Sequence, residues 1–147
     1  MLTGNNQHLK FQCGPYGLLI DIAYIFAIED YKENSEKTSS KTTSWNNIEL
    51  LFIDLRYSLY VAESSIKKPQ HVLVLKNATT DEPFVMIAVD EVHNIIEIQE
   101  SQWYELNGIN PQLDMFFDRA YPDNESNQIF MRLAPVEQWA THCAESE

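Results

Sequence analysis

Cations are scarce in this chain: 10 Lys and Arg stand against 22 Asp and Glu, a net charge of −12 over 147 residues. A surface of that sign repels phosphate backbones and anionic membranes, which argues against nucleic acid as a partner and suits a basic or apolar docking face. Cysteine is scarcer still. Cys13 and Cys143 lie near opposite ends, with no CxxC pairing and no histidine at ligand spacing, so neither a disulfide framework nor a metal site such as zinc is expected. The glycines Gly4, Gly14, Gly17 and Gly108 never gather into a phosphate cradle. No apolar run approaches the roughly 18 residues that cross a bilayer. The opening MLTGNNQHLK has neither the basic start nor the apolar block of a signal peptide. A cytoplasmic location is expected, where the Asn77-Ala78-Thr79 and Asn124-Glu125-Ser126 sequons carry no meaning.

What remains is an ordinary globular composition, 44% hydrophobic and 22% charged, at a length suited to one domain spanning residues 1–147. Leu9, Phe11 and Cys13 alternate and then break at Gly14-Pro15, which reads as a hairpin whose return strand runs from Leu18 to Ile22. Ile20, Ile22, Ile25 and Ile28 fit either a strand passing into a helical turn or a bent second strand. Residues 32–44, rich in Ser and Thr and without an apolar side chain, read as a surface loop. The pattern predicts a strand over Ile48–Tyr57, buried at Leu50, Leu51, Phe52 and Ile53. Further strands are expected at His71–Lys76, Phe84–Val89 and Glu91–Ile98, and within DMFFDRAY and QIFMRLAP, with turns at NATTDEP and PDNESN. SQWYEL suggests a short helix or turn with Ser101 as cap, and residues 134–147 a short amphipathic tail with Val136, Trp139 and Ala140 on one side. Many short strands and few helices argue for an all-β barrel or sandwich.

Four segments in order carry a resemblance. They are Tyr16-Gly17 followed by Ile20-Asp21-Ile22, Ile25 and Ile28; Leu51-Phe52-Ile53-Asp54-Leu55-Arg56; Val89-Asp90-Glu91-Val92 continuing through Ile95, Ile96 and Ile98; and Leu106-Asn107-Gly108-Ile109 with Asp118-Arg119 and Ile129 to Leu133. From about Leu9 to Leu133 the chain resembles the CheW family of bacterial chemosensory coupling proteins. The resemblance implies two SH3-like five-stranded β-barrels packed together with short helices, and no chemistry and no cofactor. It also implies a role as an adaptor between the cytoplasmic tip of a methyl-accepting chemoreceptor and the regulatory domain of the histidine kinase CheA. Where the family usually has Asn-Leu-Arg-Gly, this chain has Ser44-Trp45-Asn46-Asn47, so an arginine is missing and a glycine is replaced by Asn. That region is associated with partner contacts in the family, as is the segment holding Ile25 and Ile28. The partner-binding candidates are therefore Ile25, Ile28, Trp45, Asn46 and Asn47, and Asp54, Arg56, Asp90 and Val92 form the structural motif.

Each candidate also has a plainer reading. Ile25 and Ile28 form an i, i+3 pair able to seat against a helix, but an apolar stripe is usually buried, and core is preferred on general grounds. On an extended chain Asp54 and Arg56 share a face and read first as an ion pair anchoring the crossing between barrels. Asp90, Glu91, His93 and Glu97 could suggest a small metal-dependent hydrolase; a solvated strand face is the preferred reading. No histidine sits in a nucleophile signature, so no catalytic residue is expected. The indoles Trp45, Trp103 and Trp139 fit packing or interface anchors, with Trp45 standing out because it follows the polar loop. A CheW-like scaffold in a pilus-motility or regulatory phosphorelay is the nearest alternative function.

Overall fold

The computed structural model describes residues 6–31, 42–58, 68–77, 79–106 and 115–145. Most of the 32–44 loop and the Asn107-Gly108-Ile109 part of the last motif lie outside them. Antiparallel hairpins supply the first two and the last two described strands. β1 (Gln7–Cys13) and β2 (Tyr16–Asp21) pair so that Cys13 faces Tyr16 across a two-residue turn. Gly14 there has φ 57°, and the Pro15 ring fixes a negative φ, the glycine-first pattern of a type II′ turn. β10 (Phe117–Asp123) and β11 (Gln128–Leu133) close on the PDNESN turn, with Asn127 at φ 58°.

The bent segment after β2 holds both of the structures its sequence allows. Ile22–Tyr24 forms one 3-10 turn, whose first free N–H, from Ala23, is accepted by Asp21 Oδ1 at 2.9 Å. It re-aims the chain into β3 (Ile25–Asp30), in a different sheet. There follow β4 (Thr42–Trp45), β5 (Ile48–Asp54), a helical turn α1 (Leu55–Ser58), β6 (His71–Lys76), β7 (Pro83–Val89), β8 (Glu91–Glu97) and β9 (Tyr104–Glu105), with helix α2 (Val136–Glu145) after β11. Three expectations need correction. The Ile48–Tyr57 strand stops at Asp54, since Leu55 begins a helical turn, and only Leu50 and Ile53 of its centre are fully buried. Thr42 to Ser44, read as loop, belong to β4, paired through Thr43↔Leu50. Glu100–Gln102 forms a 3-10 turn closed by Gln99 N–H donating to Gln102 Oε1 at 2.7 Å, so the cap lies outside Ser101.

The strands make two sheets, ordered β8-β1-β2-β11-β10-β9 and β3-β6-β7-β5-β4. The expected all-β architecture is present as two sheets with short helices; of the two five-stranded barrels, the described residues show one sheet of six strands and one of five, with neither ladder closed edge to edge. β3 to β7 build the second sheet without interruption, while the first takes β1 and β2 from one end of the chain and β8 to β11 from the other. Alternation gives each sheet two apolar faces. Leu73 and Leu75 on β6, and Leu9, Phe11 and Cys13 on β1, face a shared central core. Val72 and Val74 turn the other way, into a separate cluster with Leu50, Met86 and Ala88, while Leu19, Ile98 and Phe130 form its counterpart in the six-stranded sheet. Trp45 on β4 reaches Phe26 and Glu29 on β3, so side chains bring the two edge strands of the five-stranded sheet together.

The segment expected as a tail belongs to the core. Val136, Trp139 and Ala140 are fully buried in the central cluster, and Trp139 Nε1–H donates to Ala134 O at 3.0 Å. Gly17 is required by close approach: it pairs with Phe130 across the parallel β2–β11 ladder, and a Cβ there would sit 2.7 Å from the Phe130 ring. The six-stranded sheet also buries an ion pair, Lys10 Nζ to Asp123 Oδ2 at 2.9 Å, with the ammonium 4.9 Å from the Phe130 ring centroid. Burial alone would raise the Asp123 carboxyl; hydrogen bonds from Lys10 and Ser126 hold it below the usual value. No described helix is long and apolar enough to cross a membrane.

Candidate functional site

Arg56 is 2% exposed, and its guanidinium reaches two carboxylates. Nε and Nη2 donate to the two oxygens of Asp54 at 2.9 and 2.8 Å, and Nη1 donates to Asp90 Oδ1 at 3.0 Å. Because α1 begins at Leu55, Asp54 and Arg56 are not successive same-face positions of a strand. Instead the helical turn folds Arg56 back onto the strand end, where its own N–H donates to Asp54 Oδ1 at 3.1 Å. The Asp54 hydrogen bonds, ahead of the Asp90 contact, raise the Arg56 pKa although burial opposes this.

Asp90 is the residue at which the chain leaves the five-stranded sheet and enters the six-stranded one, between β7 and β8. Its N–H donates to Gln12 O at 3.0 Å, and its second oxygen accepts a hydrogen bond from Gly14 N–H in the β1–β2 turn. The network of Asp54, Arg56 and Asp90 therefore ties β5, the β7–β8 crossover and the first hairpin into one staple between the sheets. Val92, just past the crossover, is half-buried and packs on the central core. Beside the staple, burial and then the nearby Asp90 and Asp54 push the Cys13 thiol far up, which makes it unreactive.

The partner-binding candidates divide. Ile25 turns inward and packs on the central core. Ile28 is 44% exposed, with Phe26 beside it on the same edge strand at 45%. A register shift between Ile25 and Ala27 adds one residue to β3, so Ile25 pairs with Leu75 and Ile28 with Leu73, and both isoleucines lie on the face of those leucines, Ile25 packed on the core and Ile28 exposed. Phe26, which sequence reasoning passed over, joins the exposed set; its alternation with Ile28 was the available signal. Asn46 and Asn47 have φ 49° and 67° in the two-residue turn between the paired residues Trp45 and Ile48, a type I′ hairpin for which Asn is a favoured residue. The departure from the family's glycine thus keeps a residue that tolerates the left-handed backbone. Trp45 is half-buried, its Nε1–H donating to Glu29 Oε1 at 3.2 Å. Ile28 and Asn46 line one open depression of about 670 Å³ together with Glu29, Asp30, His71 and Val92, between the two sheets.

Asp90 is held by Arg56 and Gly14, and exposed His93 has Glu91 at 3.8 Å. Among the described residues no group of three or more His, Cys, Asp or Glu is placed to hold a metal.

The architecture is that of a known scaffold. This chain superposes on the scaffolding protein TtCheW from Thermoanaerobacter tengcongensis with a TM-score of 0.69, covering 88% of this chain and 89% of that one at 12% sequence identity. The chain thus has a CheW-like fold. No protein-family model matches the sequence, and neither does any curated protein.

Proposed function

We propose that this protein is a non-catalytic cytoplasmic adaptor that couples a chemoreceptor's cytoplasmic tip to the regulatory domain of a CheA-type histidine kinase. The observation that carries the reading is the likeness to a CheW scaffold over nearly the full length of both chains. The site chemistry supports it. Asp54 and Asp90 each accept from Arg56 and from a backbone N–H, so the motif's charges hold the two sheets together and supply no general base.

An adaptor transmits a signal when each partner contacts one body and the body does not yield between them. The Arg56 staple gives the two sheets that rigidity, and the depression between them, with Ile28 exposed and Asn46 and Trp45 at its border, is the partner surface on this reading. Calorimetry with a purified CheA-type regulatory domain and a receptor-tip fragment tests it. Binding of both partners at separate surfaces supports coupling; binding of neither overturns it.

A further inference from the structure

Glu29, Asp30 and Asn46 form a ridge shared by two depressions. The broad one carries Ile28 and Val92 as its apolar surface. The other is a cavity of about 250 Å³ between β3 and β4, walled by Trp45 and floored by Phe52, Val72 and Met86. The Trp45 ring is held in place by Phe26, edge-on at 5.7 Å, and by the hydrogen bond to Glu29. Among the described residues lining the two depressions, Glu29 and Asp30 are the carboxylates, and His71, 3.5 Å from Asp30, is the one cationisable side chain.

Sites for free small molecules run from roughly 300 to 1,000 Å³. The cavity falls below that range, which favours one long side chain of a larger partner over a whole ligand. An apolar floor reached past carboxylates suits an apolar stem with a cationic head, and the Trp45 face adds to the attraction for a cation. We infer that the partner is a helical protein segment that lies across Ile28 and Val92 and inserts a lysine or arginine side chain between Trp45 and the Glu29–Asp30 ridge. This rests on the adaptor reading and adds the chemistry of the partner. Both carboxylates are solvated, and exposed ion pairs contribute little affinity, so their charge selects which partner is accepted more than how tightly it binds.

The test is selection from a displayed library of amphipathic helices, randomised at polar positions, on the intact protein, followed by NMR of the Trp45 indole N–H with an enriched helix. Enrichment of Lys or Arg one turn from the apolar face, with a shift of the Trp45 resonance, is expected. The double variant Glu29→Lys, Asp30→Lys should turn the selection toward Asp and Glu. Because a net charge of −12 attracts cations everywhere, a control of equal charge change, Glu82→Lys with Glu125→Lys, should keep the basic preference. Charge-blind enrichment, no enrichment, an unmoved Trp45 resonance, or a control variant that also inverts the preference overturns the inference. Failure of the adaptor reading looks different: the unaltered protein does not bind the kinase domain, whatever helices it selects.

Discussion

Arg56 and Asp90 stand 34 positions apart in the chain and 3.0 Å apart in space, joined across the boundary between two sheets that share no backbone hydrogen-bond ladder. A buried cation between two carboxylates offers modest net stabilisation, because desolvation offsets attraction, but removing one partner is costly. Arg56→Leu strands Asp54 and Asp90, whose side chains are only 18% and 24% exposed. A loss of about 3 kcal/mol in urea unfolding is expected. Arg56→Lys, which cannot reproduce the bidentate grip on Asp54, should fall between that variant and the native chain. A change below about 0.5 kcal/mol for Arg56→Leu, the range of an ordinary surface substitution, would show that the staple does not hold the sheets.

The Asn46-Asn47 turn should respond to backbone preference and not to side-chain chemistry. Asn47→Gly is expected to be neutral or slightly stabilising, and Asn47→Val to cost about 1–2 kcal/mol, since a β-branched residue resists φ 67°. Equal midpoints for the two variants in chemical denaturation would remove the type I′ account.

Gly17 and Phe130 form a second testable pair. Gly17→Ala forces a methyl against the Phe130 ring and should destabilise by about 1–3 kcal/mol. Phe130→Leu in the same chain should recover part of that loss, read as a coupling energy in a double-mutant cycle. Strict additivity would place the strain elsewhere.

His8 sets an acid-side limit. The residue is 1% exposed, Nδ1 lies 3.2 Å from Asn6 O, Nε2 has no partner among the described residues, and Trp103 packs edge-on at 5.0 Å. Burial lowers its pKa against the opposing pull of the Asn6 carbonyl and Asp21. A lowered histidine binds its proton more weakly folded than unfolded, so stability is full above the unfolded value of about 6.5 and declines as pH falls from there toward the folded pKa. Melting temperature should drop between pH 7 and pH 5.5, and His8→Leu should flatten that slope. An unchanged slope in His8→Leu assigns the titration to another group.

The strand pairs with the densest apolar runs were legible in the sequence. HVLVLK and FVMIAV became β6 and β7 nearly residue for residue, because both their faces are buried. β4 was not legible: TTSW carries one apolar side chain, and its strand character comes from pairing with β5. The end of β5 was missed because a four-residue helical turn is too short to show a period. The face of α2 could be read from Val136, Trp139 and Ala140; that it caps the central core could not, since spacing tells which side is apolar and nothing of what covers it. At the site, the ion pair of Asp54 and Arg56 followed from proximity, while its third member, Asp90, depends on a crossover that only the folded chain brings near.

The most direct test of the account is a ternary binding experiment: the protein titrated into a CheA-type regulatory domain, then into that complex with a receptor-tip fragment, alongside Ile28→Glu. The expected result is saturable binding to both partners, with Ile28→Glu weakening the receptor step while leaving the unfolding free energy within about 1 kcal/mol of native, because the residue is 44% exposed. Absence of both interactions in a folded sample would contradict the account.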